Sequence, residues 1–263
     1  MNAQAPVASS SATIRTRPLG RSGIDVTALG FGGAPLGALY APLDDTTAIA
    51  TVEAALDAGI ALVDTSPLYG RGLSEHRIGT ALRRRPRSSF VLSTKVGRLY
   101  SPAPGGVLRT EGYSGGLAHE GRFDYTYDGA MRSLEQSMLR LGVASVDVAL
   151  IHDVDPWTHG ESAGERQREA LAGAYRALAD LRAQRVVRAI GIGVNDAIVK
   201  VATARQLRQE QGLSVREALL EAGRLRFRPI MMNTWTAVLA LIPMAIGIGT
   251  GDQMQRPLAV AII

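Results

Sequence analysis

Two patterns of hydrophobic and polar positions alternate along most of this chain, one typical of strands and one typical of helices. Short apolar runs rich in β-branched residues predict strands, and stretches whose apolar residues recur every three or four positions predict helices. The predicted strands lie at 59–63, 90–96, 146–152 and 187–195. The predicted helices lie at about 44–58, 74–82, 127–141 and 165–183. Because strand and helix alternate, the pattern favours an α/β fold with a parallel sheet or a barrel.

Three segments depart from this alternation. Residues 15–32 predict a hairpin that runs into a strand, with glycines at the turn. Residues 97–125 are rich in Gly, Pro and Tyr and predict a long loop of the kind that often forms a functional lid. Residues 1–14 are mainly small and polar, so they predict a disordered lead without a secretory signal.

Chemically useful side chains stand at the ends of successive predicted strands. Asp64 and Tyr69 follow the strand at 59–63, Lys95 ends the next strand, and His152 ends the one after it. In an α/β barrel these ends share one rim, so the four side chains are expected to converge, although an ordinary βα turn at Asp64 stays an alternative. Lys95 would pair with Asp64 and lower the pKa of Tyr69, and such a phenol can exchange a proton with an alcohol or carbonyl oxygen. Hydride transfer with a cofactor fits this set better than hydrolysis.

Composition narrows the function classes. The 263 residues, 46% hydrophobic and 20% charged, suit one barrel or two smaller domains. The absence of cysteine excludes disulfides, thiolate metal sites and cysteine nucleophiles. The net charge is +5, but the basic residues are not interleaved with aromatic residues as they are in proteins that bind single-stranded nucleic acid. We therefore expect no nucleic-acid partner. His152, Asp155 and His159 are closely spaced, but a strand end does not present them on one helical face, and we predict no metal site.

Residues 15–195 resemble the aldo-keto reductase superfamily. The resemblance rests on the sequence VDTSPLYG at 63–70, on STK at 93–95 and on IHDVD at 151–155. It implies a (β/α)8 TIM-barrel fold, a catalytic tetrad of Asp64, Tyr69, Lys95 and His152, and NADP or NAD as cofactor. It also implies cofactor contacts at Gly33, Asp64 and Asn195.

Two further segments, 123–128 and 152–160, look like the branch of this superfamily that acts on L-fucose, D-threo-aldoses or L-galactose. A pyridoxal dehydrogenase of the same branch is an alternative. The resemblance implies oxidation of the anomeric hydroxyl of an aldose to a lactone, with Tyr69 accepting the proton. Tyr69, His152 and Trp157 would contact the substrate, although Trp157 fits a packed loop as well.

The resemblance stops after Asn195, so we expect a barrel of residues 15–197 that is truncated after about its fifth strand. Residues 198–263 predict a helical tail that is similar to a fragment of heavy-metal efflux pumps of the resistance-nodulation-division family. Residues 229–251 contain no charged residue, and Asp252 follows them. This run predicts a transmembrane segment, because about 20 apolar helical residues cross a bilayer. A buried barrel helix is the alternative.

Together these patterns predict an NAD(P)-dependent oxidoreductase that acts on a small sugar or aldehyde. The alternative is a catalytically inactive fusion product that associates with a membrane through its tail. We expect a cytoplasmic protein, with membrane attachment through 229–251 as the second possibility. Self-association through the incomplete barrel is also expected, since an open sheet leaves a strand edge unpaired.

Overall fold

The computed structural model of this chain describes residues 14–107 and 112–193, together with residues 208, 212, 214–217, 220 and 221. Asn195, the candidate membrane segment 229–251 and the lead up to residue 13 lie outside the described residues, as does most of the predicted tail. In the part of the chain that is described, no helix is both long enough and apolar enough to cross a membrane.

A five-stranded parallel sheet forms the centre of the described structure, which confirms the predicted alternation. Its strands are β3 (Gly30–Gly32), β4 (Leu62–Asp64), β5 (Val91–Val96), β8 (Val148–His152) and β9 (Ala189–Gly193). They neighbour one another in chain order, and every pairing is parallel. An arc of a (β/α)8 barrel would have the same order.

Antiparallel hairpins stand at the two ends of this sheet. The first consists of β1 (Thr16–Pro18) and β2 (Asp25–Thr27), as predicted, and its apolar residues pack against the amino ends of the central strands. The second consists of β6 (Arg98–Pro102) and β7 (His119–Phe123). It lies within residues 97–125, which were predicted as a long loop, so that prediction was wrong for these two strands. Phe123 is the one large apolar residue of β7, and pairing with β6 supplies the structure of this strand.

Six helices occur in the described residues up to 193, and the longer ones cover the outer face of the sheet. The six are α1 (Asp45–Asp57), α2 (Leu73–Leu82), α3 (Tyr127–Leu141), α4 (Pro156–His159), α5 (Ala163–Ala172) and α6 (Ala174–Ala183). Short 3-10 turns lie at 34–37, 87–89 and 160–162. Side-chain caps start three of the helices: Asp44 accepts from the Thr47 amide, Thr126 from Gly129 and Asp155 from Thr158.

The single helix predicted over residues 165–183 is two helices, α5 and α6, which meet at Gly173. A Cβ at Gly173 would lie 2.5 Å from the Tyr125 carbonyl oxygen and 2.7 Å from backbone atoms of the next two residues. The close approach of another backbone requires glycine there, and the helix breaks where that glycine stands. Periodicity within 165–183 carries no sign of this distant contact.

The main core lies between the outer face of the sheet and the helices. Its fully buried residues include Val63 of β4, Leu92 of β5 and Leu178 of α6. Inward-facing residues on the other side of the sheet pack with the β1–β2 hairpin around Val91 and Val148. Both faces of the central strands are therefore apolar at their amino ends, and polar groups are left to gather where the strands end.

Candidate active site

The four residues of the predicted tetrad meet at the carboxyl ends of three neighbouring strands. Asp64 ends β4, Lys95 lies near the end of β5 and His152 ends β8, while Tyr69 follows β4 in a turn. The parallel register aligns Asp64 with Ser93 and Lys95 with Leu150, which sets the strand ends level with one another. The parallel sheet therefore gathers residues that are far apart in sequence.

A charged pair forms the centre of this group. The Lys95 ammonium donates to Asp64 Oδ2 at 2.7 Å and to the Thr65 carbonyl oxygen at 2.8 Å. Ser93 donates to the other carboxylate oxygen of Asp64 at 2.7 Å. The predicted pairing of Lys95 with Asp64 is thus present. Burial opposes the charge of Lys95, but Asp64 and Tyr69 outweigh it and raise the pKa of Lys95 to about 12.

Tyr69 lies directly over this lysine. The Lys95 ammonium is 4.9 Å from the centre of the phenol ring, and the two side chains are hydrogen-bonded. The predicted effect of Lys95, which lowers the pKa of Tyr69, is present, but burial outweighs it. Burial raises the pKa of Tyr69 above its usual value, and the opposing effect of Lys95 only reduces that shift. Tyr69 is therefore a protonated phenol at neutral pH.

His152 stands beside the phenol as a neutral imidazole. Its ring is edge-on to the Tyr69 ring, with 6.3 Å between the ring centres. Burial, followed by the nearby charges of Lys95 and Arg98, holds the pKa of His152 well below its usual value. Its Nδ1 lies 3.1 Å from Ser66 Oγ. A neutral imidazole next to a protonated phenol offers two hydrogen-bond donors to one oxygen atom.

Residues 28–215 match the model of the Aldo/keto reductase family. That match covers well over half of the chain. The chain belongs to the aldo/keto reductase family. The family expected from the motifs at 63–70, 93–95 and 151–155 is therefore confirmed.

Relatives within the aldo/keto reductases include sugar and pyridoxal dehydrogenases. A pyridoxal 4-dehydrogenase from Microbacterium luteolum is 44% identical over 191 residues, which are 68% of this chain and 55% of the relative. A D-threo-aldose 1-dehydrogenase from a Pseudomonas species is 41% identical over 191 residues, 68% of this chain and 54% of the relative. This chain thus spans about half the length of these curated relatives.

Solved aldo/keto reductases share the fold. A putative aldo-keto reductase from Pseudomonas aeruginosa superposes with a TM-score of 0.52 at 29% identity, covering 74% of this chain and 64% of that chain. The α/β fold with a parallel sheet is accordingly that of the family.

The end of this aldo/keto reductase chain matches a second family. Residues 186–263 match the model of the AcrB/AcrD/AcrF family, which overlaps the first match. A multidrug resistance protein, MdtC, from Erwinia tasmaniensis is 42% identical over 74 residues, 28% of this chain and 7% of that protein. The predicted similarity of the tail to a fragment of an efflux pump is therefore confirmed.

Two further predicted site residues of this aldo/keto reductase, Gly33 and Trp157, lie outside the tetrad. Gly33 is buried, with its N–H donating to the Asp64 carbonyl oxygen at 2.8 Å and its own carbonyl accepting from Ser74 at 2.7 Å. Its backbone thus joins the turn after β3 to α2. Trp157 in α4 is 86% exposed, so its predicted substrate contact would require an approach from solvent.

Two charged residues near the tetrad were missed by sequence reasoning. Arg98 of β6 donates to Asp153 Oδ2 at 3.1 Å, and Asp153 Oδ1 lies 3.4 Å from His152 Nε2. Arg98 falls in the segment predicted as a loop, where no predicted strand end marks it as a site residue. Asp153 was visible as the residue after His152 in the motif at 151–155. No group of three or more His, Asp or Glu residues able to hold a metal ion occurs in the described segments.

Proposed function

We propose that this chain carries the catalytic site of an NAD(P)-dependent oxidoreductase acting on an aldose or a related aldehyde or alcohol. The observation that carries the proposal is the connected set of Asp64, Lys95 and Tyr69, with neutral His152 edge-on to the phenol. This set moves a proton at one oxygen atom and contains no activated nucleophile. Proton transfer without a nucleophile is what hydride transfer to or from a carbonyl carbon requires of the protein.

The residues at this rim fit a nicotinamide nucleotide. The Asp64 side chain is 35% exposed although it is paired with Lys95, so its carboxylate can still accept a hydrogen bond from a ribose hydroxyl. Gly33 lies beside Asp64, and its N–H donates to the Asp64 carbonyl oxygen. When bound, the nicotinamide would exchange a hydride with the substrate carbon. We propose Asp64, Gly33 and Asn195 as its contacts, and either NADP or NAD as the nucleotide.

Tyr69 would transfer the proton in both directions of the reaction. In the reductive direction, protonated Tyr69 donates its proton to the carbonyl oxygen as the carbon is reduced. In the oxidative direction, the phenolate accepts the proton of the anomeric hydroxyl, and Lys95 stabilises that phenolate. His152 donates a hydrogen bond to the same oxygen in both directions. Because burial raises the pKa of Tyr69, alkaline pH favours oxidation.

The substrate class is proposed from the relatives. Aldoses of the D-threo type and pyridoxal appear in the names of two relatives that match 191 residues of this chain. An L-galactose dehydrogenase from Arabidopsis thaliana matches 144 residues at 35% identity. We propose an aldose such as L-fucose as substrate, with oxidation to the lactone.

The direct test is the absorbance of reduced cofactor formed by the full purified chain. The chain is mixed with NAD or NADP and with L-fucose, L-galactose or pyridoxal. The proposal requires saturable reduction of at least one nucleotide with at least one of these substrates. Failure of every combination, with the chain shown to be folded by circular dichroism, would overturn it.

A second candidate function is membrane association by a chain without catalytic activity. The match of residues 186–263 to a family of transporters favours it. Its test is flotation of the full chain with phospholipid vesicles on a density gradient. Recovery with the vesicles supports the second candidate, and recovery of all protein at the bottom of the gradient contradicts it. Sedimentation velocity of the chain without vesicles tests the expected self-association through the incomplete barrel.

A further inference from the structure

The residue that follows His152 adopts a backbone conformation that few residues adopt. Asp153 has a φ of 53°, in the left-handed region. Its N–H donates to the Gly193 carbonyl oxygen at 3.0 Å, and its carbonyl accepts from the Tyr125 hydroxyl at 3.1 Å. Neighbours on both sides thus hold Asp153 in this conformation. Such strain next to a reacting group calls for a functional explanation.

The conformation of Asp153 directs its carboxylate between a cation and the imidazole. Oδ2 accepts from Arg98 Nη2 at 3.1 Å, and Oδ1 lies 3.4 Å from His152 Nε2. Burial raises the pKa of Asp153, and Arg98 opposes that shift by favouring the ionised form. An ionised carboxylate only accepts hydrogen bonds. It therefore favours a hydrogen atom, rather than a lone pair, on Nε2.

The other side of the imidazole ring favours the same arrangement. Ser66 Oγ lies 3.1 Å from His152 Nδ1 and already accepts the Leu68 N–H at 3.2 Å. The Ser66 hydroxyl hydrogen can then be donated to Nδ1, which must carry a lone pair to accept it. Because a neutral imidazole has one N–H, its hydrogen belongs on Nε2.

We infer that Asp153 is a positioning residue that fixes His152 as the tautomer with its hydrogen on Nε2. This inference rests on the proposed function, in which that N–H donates to the substrate oxygen. The 3.4 Å separation is longer than a strong N–H···O bond. Asp153 therefore selects the tautomer while leaving the hydrogen available to the substrate.

The Asp153→Asn variant tests the inference, since asparagine tolerates the left-handed conformation. Arg98 needs an acceptor, so the amide oxygen will face Arg98 and the amide NH2 will face His152 Nε2. Nε2 must then accept, and the imidazole hydrogen moves to Nδ1. The measurement is a long-range 1H–15N NMR spectrum of the full chain without cofactor, in which protonated and unprotonated ring nitrogens resonate in separate ranges. A His152→Gln variant assigns the signals among the four histidines.

The inference predicts Nε2–H in the wild-type chain and Nδ1–H in Asp153→Asn. The control Asp128→Asn removes the same charge from the exposed start of α3 and should keep the wild-type spectrum. In the proposed assay, kcat of Asp153→Asn should fall about 100-fold, as when one donor to a reacting oxygen is lost. Ser66→Ala should keep Nε2–H, because Asp153 still faces that nitrogen.

Several results would overturn the inference: Nδ1–H in the wild type, an unchanged tautomer in Asp153→Asn, or a move to Nδ1–H in Ser66→Ala. The last would assign the tautomer to Ser66 instead. Ser66→Ala also keeps the inference testable if Asp153→Asn fails to fold. Since the spectra need neither cofactor nor turnover, they stand even if the proposed function fails in the absorbance assay.

Discussion

The two ends of the central sheet each hold an aspartate among cations, and the two arrangements differ in what they leave available. At the amino end, Asp147 precedes β8 and is almost fully buried, with 4% of its side chain exposed. One of its oxygens accepts from Arg87 and from the Leu92 amide, and the other accepts from Arg188. At the carboxyl end, Asp64 is paired with Lys95 and Ser93, yet 35% of its side chain is exposed.

This difference indicates that the amino end of the sheet is structural. The cations around Asp147 link β5, β8 and the start of β9, and both carboxylate oxygens are occupied by groups of the protein. The pair of Asp64 and Lys95 lies beside a phenol with a raised pKa and beside the strained Asp153. Shifted pKa values and strain concentrate at functional sites, and barrel enzymes place their chemistry at the carboxyl ends of strands.

The largest effect should come from removing the phenol hydroxyl at the carboxyl end. Tyr69→Phe should lower kcat about 1000-fold, because it removes the phenol hydroxyl that exchanges the proton in the proposed reaction. Its thermal unfolding should remain close to that of the wild type. The control is Tyr127→Phe, which removes an exposed hydroxyl bonded to Asp180 at 2.9 Å and should keep full activity. Normal turnover in Tyr69→Phe would assign the proton transfer to another residue.

The opposite result is expected at the amino end. Asp147→Ala leaves the buried Leu92 amide without its acceptor and separates two arginines from their shared anion. Both arginines are partly exposed, so water replaces part of the loss, and we expect a destabilisation of about 3 kcal/mol. Urea denaturation measures it. The control Asp57→Ala, at an exposed surface pair, should leave the midpoint unchanged.

Kinetics of Asp147→Ala are measured at low temperature, where more of the variant is folded. The folded fraction should keep the wild-type KM for cofactor and substrate. A loss of turnover out of proportion to the unfolded fraction would show that the amino end also takes part in the chemistry. In that case the contrast between the two ends would not hold.

The smallest effect concerns pH. Since Lys95 lowers the pKa of Tyr69 against the larger effect of burial, Lys95→Met should raise that pKa further. The alkaline limb of kcat/KM, falling for reduction and rising for oxidation, should move upward by about one pH unit. Lys95→Arg keeps the charge and should keep the limb near its wild-type position. A downward shift in Lys95→Met would mean that the limb reports a different group.

The sequence was sufficient to predict the tetrad geometry because parallel strands align their ends. Asp64, Lys95 and His152 each follow an apolar run, and the register of the sheet brings them together without further information. The start and end of α3 were predictable for a similar reason, since Thr126 caps the helix and Gly142 ends it in a left-handed conformation. Both kinds of signal are local.

Features that depend on distant contacts were not predicted. The break at Gly173 reflects the close approach of the Tyr125 backbone, 48 positions away in sequence. The pair of Arg98 and Asp153 spans 55 positions and depends on a hairpin that has little hydrophobic pattern. The lowering of the Tyr69 pKa by Lys95 was predicted from the motif, whereas the larger and opposing effect of burial depends on the packing of the whole rim and was not predicted.

The most direct test of a functional carboxyl end is isothermal titration calorimetry of NAD and NADP into the full purified chain. We expect saturable binding of at least one nucleotide to one site per chain, weakened in Asp64→Asn and unchanged in Asp57→Asn. Absence of binding by both nucleotides, in a chain that unfolds cooperatively, would refute a functional site at the carboxyl end. The converging tetrad would then be an arrangement of the fold without the chemistry that we propose for it.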